Sequence, residues 1–147
     1  MDRLPSWLLT QTAAHASRLV SESFSAVGAR GYHYRLLTSL LTDGPASQAD
    51  LGRRTGIHLS DMVAALNELE KSGYIRRAPD PGDRRRNVIT VTDEGRLRSL
   101  RLAEQVGKIQ EELLAPLDPA EREQLTGLLA KLYEHHRGQG IPPLPSM

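Results

Sequence analysis

Asp80-Pro81-Gly82-Asp83-Arg84-Arg85-Arg86-Asn87, set between Tyr74-Ile75-Arg76-Arg77 and Val88-Ile89-Thr90-Val91, is the stretch that decides how this chain folds. Pro81 and Gly82 punctuate a turn, and the β-branched residues on either side suit two short paired strands. Three consecutive arginines project from that hairpin. Guanidinium groups fork their donors onto phosphate oxygens or enter a narrow minor groove, and they keep their charge at any working pH. The hairpin therefore suits a nucleic-acid groove.

The surrounding charge agrees. The formal net charge is only +1, yet from Arg76 to Arg101 the basic residues Arg76, Arg77, Arg84, Arg85, Arg86, Arg96, Arg98 and Arg101 face only Asp80, Asp83, Asp93 and Glu94. Aromatic residues make up 4% of the chain, too few to stack single-stranded bases, so duplex is the better target.

Upstream of the hairpin the pattern is helical. Ser47 with Asp50 three residues on resembles a capping box, and the short helix it opens carries Leu51, Arg53 and Arg54 to a turn at Gly56-Ile57. A second helix is expected from about His58 to Ser72, burying Met62, Ala65, Leu66 and Leu69, with Gly73 ending it. Helix, turn, helix, then a hairpin over residues 74–92 is a helix-turn-helix with a wing.

Further out, Tyr34, Leu37, Leu40 and Leu41 mark a helix that stops at Asp43-Gly44-Pro45. After Pro5, with Ser6 as the expected cap, Leu9, Ala13, Ala16, Val20, Phe24 and Val27 form the stripe of a first helix. Downstream, Thr92 caps a long helix with Leu102, Val106, Ile109 and Leu113 on one side. Asp118-Pro119 starts a last helix with an apolar face of Leu125, Leu128, Leu129 and Leu132. The tail, residues 138–147, is rich in Gly and Pro and reads as flexible or draped.

At 147 residues with 39% hydrophobic content, one domain is expected over 1–147, mainly α with a small two- to three-stranded β-wing. With no cysteine there is no disulfide, thiolate metal site or thiol switch. The chain shows neither a secretory leader pattern nor an apolar run of membrane-spanning length, so a cytoplasmic location with no membrane partner is expected.

In this order of elements, and in Asp80-Pro81-Gly82-Asp83-Arg84-Arg85-Arg86 through Val91-Thr92-Asp93-Glu94-Gly95 above all, the chain resembles the MarR family of winged-helix transcription regulators. The likeness extends from the first helix to Leu117-Asp118-Pro119-Ala120-Glu121-Arg122-Glu123-Gln124-Leu125. It implies a homodimer on double-stranded DNA, held by helices within 6–27 and 93–137, with 32–92 as the DNA-binding lobe. It implies a recognition helix in each major groove and a wing at the neighbouring minor groove, on a pseudo-palindromic operator. A repressor released by a small-molecule effector is the expected function, and a winged-helix module used only for protein contacts is the alternative.

Wing contacts are expected from Arg84, Arg85 and Arg86, with groove insertion assigned first to Arg85 because it matches the family position, and with Asp83 and Arg85 able to support the hairpin. The recognition helix is poor in positive charge, with no Lys or Arg before Lys71. Base contacts are expected from His58, Ser60, Asp61 and Ala64, Asp61 being either an acceptor from cytosine N4 or a charge satisfying the helix dipole. Phosphate contacts are expected from Arg53, Arg54 and the helix start at Ser47 and Gln48. These arginines and the wing would then supply most of the phosphate attraction.

Some members of the family sense zinc, but the histidine spacing here argues against a metal site: His135 and His136 are adjacent, His15 and His33 lack a second ligand at helical spacing, and His58 has no second histidine there. His15 with His33 or Arg35 either line an effector pocket or are ordinary interfacial polar residues. No Gly-rich phosphate loop, nucleophile elbow or cysteine nucleophile is present, so neither an enzyme nor a cofactor is expected.

Overall fold

The computed structural model describes residues 2–137; the tail lies outside them. Eight elements run α1 (Pro5–Ser25), α2 (Gly31–Asp43), α3 (Gln48–Thr55), α4 (Leu59–Lys71), β1 (Ile75–Asp80), β2 (Asp83–Val91), α5 (Asp93–Leu113) and α6 (Pro119–Arg137). The fold is mainly α with a small β-wing, as the hairpin's setting implied.

The core gathers around α2. Leu36, Leu37 and Leu40 lie against Leu51 of α3, Met62, Leu66 and Leu69 of α4, and Ile75 and Ile89 at the base of the hairpin. Phe24 from α1 and Leu102 and Ile109 from α5 close it from the other side. Each buried leucine of this kind contributes about 1.5–3 kcal/mol, so the cluster fixes the angles among α2, α3 and α4.

Helix ends follow the chemistry of their residues, with two departures. The first helix begins at Pro5, with Leu4 at the cap position and no side-chain cap, because proline at the first position already fixes the helical φ; Ser6 is inside the helix. At α3 the Ser47 hydroxyl accepts from the Asp50 amide at 3.2 Å, but the reciprocal half of the box is missing, since Asp50 turns its carboxylate to arginines. Asp118 and Glu121 do complete a reciprocal pair at the start of α6, at 2.9 and 3.0 Å.

The hairpin is antiparallel, pairing Ile75 with Val91 through Pro79 with Asn87, and its register shifts at Pro79/Asp80. Ala46 adds an isolated bridge to Ile89, so the two-stranded sheet gains a third, one-residue edge. At the hairpin's exit the Thr92 hydroxyl donates to the Gly73 carbonyl at 2.6 Å and accepts from the Gly95 amide at 3.1 Å. Gly95 has to be glycine here, because a Cβ would lie 2.1 Å from the Tyr74 carbonyl oxygen. The Thr-Asp-Glu-Gly sequence thus welds the wing's base to α5.

The apolar stripes of α1 and α6 are only partly used within the chain. The C-terminal half of α1 packs through Leu19, Val20 and Phe24, whereas Leu4, Leu8 and Leu9 remain exposed. The last helix has no buried residue, and Leu128, Leu129, Leu132 and Tyr133 face outward. It is tied to α5 at its start, where Arg122 reaches Glu111 at 2.9 Å.

Candidate nucleic-acid interface

Three elements meet on one side of the lobe: the start of α3, the outward face of α4, and the wing. Gly56, with φ of 67°, closes α3 in the left-handed conformation and lets the chain turn into α4, whose buried side is Met62, Ala65, Leu66 and Leu69. The opposite side of α4 is therefore presented outward. It carries Leu59, Ser60, Val63, Ala64 and Asn67.

His58 caps α4: its Nδ1 accepts from the Ser60 amide at 3.4 Å and lies 3.1 Å from the Ser60 hydroxyl. Asp61 is half-buried and accepts from the Tyr32 hydroxyl at 3.3 Å, which ties α4 to α2. Ala64 is exposed. Sequence reasoning passed over Leu59 and Val63, although they are 65% and 39% exposed on the same side as Ala64. Placing the residues that fall opposite the Met62-Ala65-Leu66-Leu69 stripe would have found them. Beside them, Gln48, Ala49, Gly52, Ile57, Leu59 and Met62 line a shallow groove of about 200 Å³ between α3 and α4.

The wing's tip is shaped by two aspartates. Asp80 accepts from the Gly82 amide at 2.8 Å and Asp83 from the Arg85 amide at 3.1 Å, so the carboxylates hold the turn while the guanidinium groups stay outside it. The three arginines then part company. Arg84 and Arg85 are exposed, and no acceptor among the described residues holds either guanidinium. Arg86 folds back onto α3, donating to Ser47 Oγ at 2.9 Å and Asp50 Oδ2 at 2.8 Å. From the other strand Arg77 donates to Asn67 Oδ1 on α4 at 3.0 Å. The wing is braced to both helices.

The start of α3 is more crowded than a bare helix N-terminus. Ser47 is buried, Gln48 is half-buried, Arg53 pairs with Asp50, and Arg54 donates to the Gly44 carbonyl at 2.8 Å. The Ser47 hydroxyl, then Arg53 and Arg86, hold the Asp50 carboxyl below the usual carboxylate range.

A sequence model of the MarR family matches residues 28–86, from the turn after α1 to the wing's third arginine. The chain also superposes on a probable transcriptional regulator from Pseudomonas aeruginosa, with a TM-score of 0.76 and 30% identity, covering 89% of this chain and 98% of that one. The chain belongs to the MarR family. The transcriptional regulator PecS of Dickeya dadantii is 27% identical over 130 residues, 86% of this MarR-family chain and 78% of PecS. A mutant MarR from E. coli complexed with operator DNA has the same fold, with a TM-score of 0.73 and 23% identity over 86% of this chain and 91% of that one.

Away from the lobe's outward side, this MarR-family chain holds His33 in a polar knot. It is 7% exposed; Nδ1 accepts from the Arg30 amide at 3.4 Å and Nε2 lies 2.8 Å from Glu68, which also meets Arg30. Burial first, then Arg30 and Arg98, push its pKa down to about 4. The His33–Glu68 contact is therefore a neutral imidazole N–H donating to a carboxylate rather than an ion pair. Arg35 is spent on the Thr55 carbonyl and the Tyr32 ring, and His15 is exposed on α1. Arg98, one of the basic residues near the wing in sequence, donates to the Val27 carbonyl at 2.8 Å and lies over Tyr74.

Proposed function

We propose that this protein is a homodimeric, sequence-specific, duplex-DNA-binding transcription regulator, a repressor released by a small-molecule effector. It acts in the cytoplasm and catalyses no reaction. One observation carries the DNA reading: Arg84 and Arg85 stand unclaimed at the tip of a wing braced to both helices of a helix-turn-helix. Residues 32–92 form the DNA-binding lobe, and helices within 6–27 and 93–137 join two copies. The outward leucines of α1 and α6, uncovered in the single chain, support that pairing.

On this reading Arg84 and Arg85 contact the minor-groove phosphates or enter the groove, while Leu59, Ser60, Val63 and Ala64 face base edges in the major groove. His58, Ser47 and Gln48 set the helix starts beside the backbone. Two-fold symmetry places the two recognition helices about one turn of duplex apart. An effector displaces the DNA only by binding one lobe spacing better than the other.

A salt titration of binding to the duplex beside the protein's own gene is the test. Log affinity falls linearly with log salt, and Arg84→Ala with Arg85→Ala flattens that slope by about 0.9 for each phosphate no longer neutralised. The apolar outward face of α4, with Leu59 at 65% exposure, favours a second reading in which the lobe docks on a protein. Absence of duplex binding at low salt would select it.

A further inference from the structure

Of the five arginines expected to face phosphate, three are already held by oxygen atoms of the chain itself. Arg54 donates to the Gly44 carbonyl. The other two converge on one carboxylate: Arg53 on Asp50 Oδ1, and Arg86 on Asp50 Oδ2 at 2.8 Å. Asp50 lies in the first turn of α3, where exposed amides and the helix dipole favour an anion. It thus presents two anionic oxygens to two guanidinium groups, as a bound phosphate would.

We propose that Asp50 is a built-in counter-anion on the DNA-facing surface, occupying Arg53 and Arg86 in place of phosphate and leaving the sequence-independent attraction to Arg84 and Arg85. The inference rests on the DNA-binding reading above. An exposed ion pair contributes little to folding stability, so tethering the wing does not by itself account for spending two arginines on one carboxylate. Their effect on DNA is larger, because each phosphate neutralised adds to the salt dependence of binding. A regulator limited in this way keeps low affinity for random duplex and reserves its binding for the operator, where base contacts add.

The test is the salt slope on random-sequence duplex, measured with the full chain and four variants. Arg85→Ala flattens the slope by about 0.9, whereas Arg86→Ala changes it by less than half as much. Asp50→Asn, which keeps the side-chain oxygen for hydrogen bonding, steepens the slope by about 0.9, and in that background Arg86→Ala removes one full phosphate's worth of slope. Equal flattening by Arg86→Ala and Arg85→Ala in the otherwise unchanged chain would overturn the proposal. So would an Asp50→Asn chain that binds more weakly at unchanged slope, the behaviour of a residue that only positions the wing. If Asp50→Asn failed to fold, the comparison of Arg86→Ala with Arg85→Ala would still decide. Failure of the unchanged chain to bind any duplex would instead sink the DNA-binding reading itself.

Discussion

His33 shows how one buried side chain couples folding to pH. Its imidazole is neutral in the folded chain, with a pKa near 4 against 6.5 for the free side chain, because burial and the Arg30 and Arg98 charges disfavour the cation. As pH falls through 6.5 the unfolded chain takes the proton first, so stability is full above that value and declines until about pH 4. The cost is about 3 kcal/mol at most. Urea unfolding at fixed protein concentration should show this loss between those pH values and a shallower one for His33→Gln; identical pH slopes would remove His33 as the titrating group. Little of this was legible in the sequence. A histidine near a helix start is visible there, but that Glu68 lies opposite it, from 35 positions away, is a fact of packing. Gly95 is the contrary case, since the Thr-x-x-Gly spacing was readable and the structure supplies its reason, the Tyr74 carbonyl against the glycine.

Elements were more legible than residue roles. Periodicity and caps placed α2 to α4 and the hairpin, because their buried stripes and their Gly and Pro punctuation are local signals. The three wing arginines were not separable by sequence, since whether a guanidinium is free depends on Asp50 reaching it across the fold. The sequence points to base contacts from His58, Ser60, Asp61 and Ala64, yet the outward face of this helix also carries the exposed Leu59 and Val63 beside Ala64. Short apolar side chains in a major groove meet the one apolar group it offers, the thymine methyl. Replacing operator thymines by uracil, which deletes only that methyl, should therefore weaken binding at one or more positions in each half-site. A penalty of about 1 kcal/mol per contacted base would be ordinary, and Val63→Ala should abolish the discrimination at its position. Uniform affinity for thymine and uracil operators would show that α4 does not read through this face.

At the scale of the molecule, burial divides the chain into a core that α2 to α5 and the C-terminal half of α1 close together, and two helix surfaces that stay outside it. Leu4 at the cap of α1, with Leu8 and Leu9 in its N-terminal half, stays in solvent, and α6 buries nothing while presenting Leu128, Leu129, Leu132 and Tyr133. The stripe of α6 does not fold back onto the chain's own middle, where the core is already filled by Leu36, Leu37, Leu66 and Leu102. On the proposed homodimeric reading, a second copy covers both helix surfaces. Two leucines changed on α6 alter four side chains in a symmetric pair, and at about 1.5–3 kcal/mol for each one fully buried the dissociation constant rises by several powers of ten. Leu128→Glu with Leu132→Glu should thus convert the dimer to a monomer by sedimentation at micromolar concentration. In the monomer these positions lie in water, so the lobe's secondary structure should persist by circular dichroism. Operator affinity should collapse to that of a single lobe, because one wing and one recognition helix then act without their symmetric partner. A double variant that sediments as a dimer would show that the copies pair through some other surface, or through α1 alone.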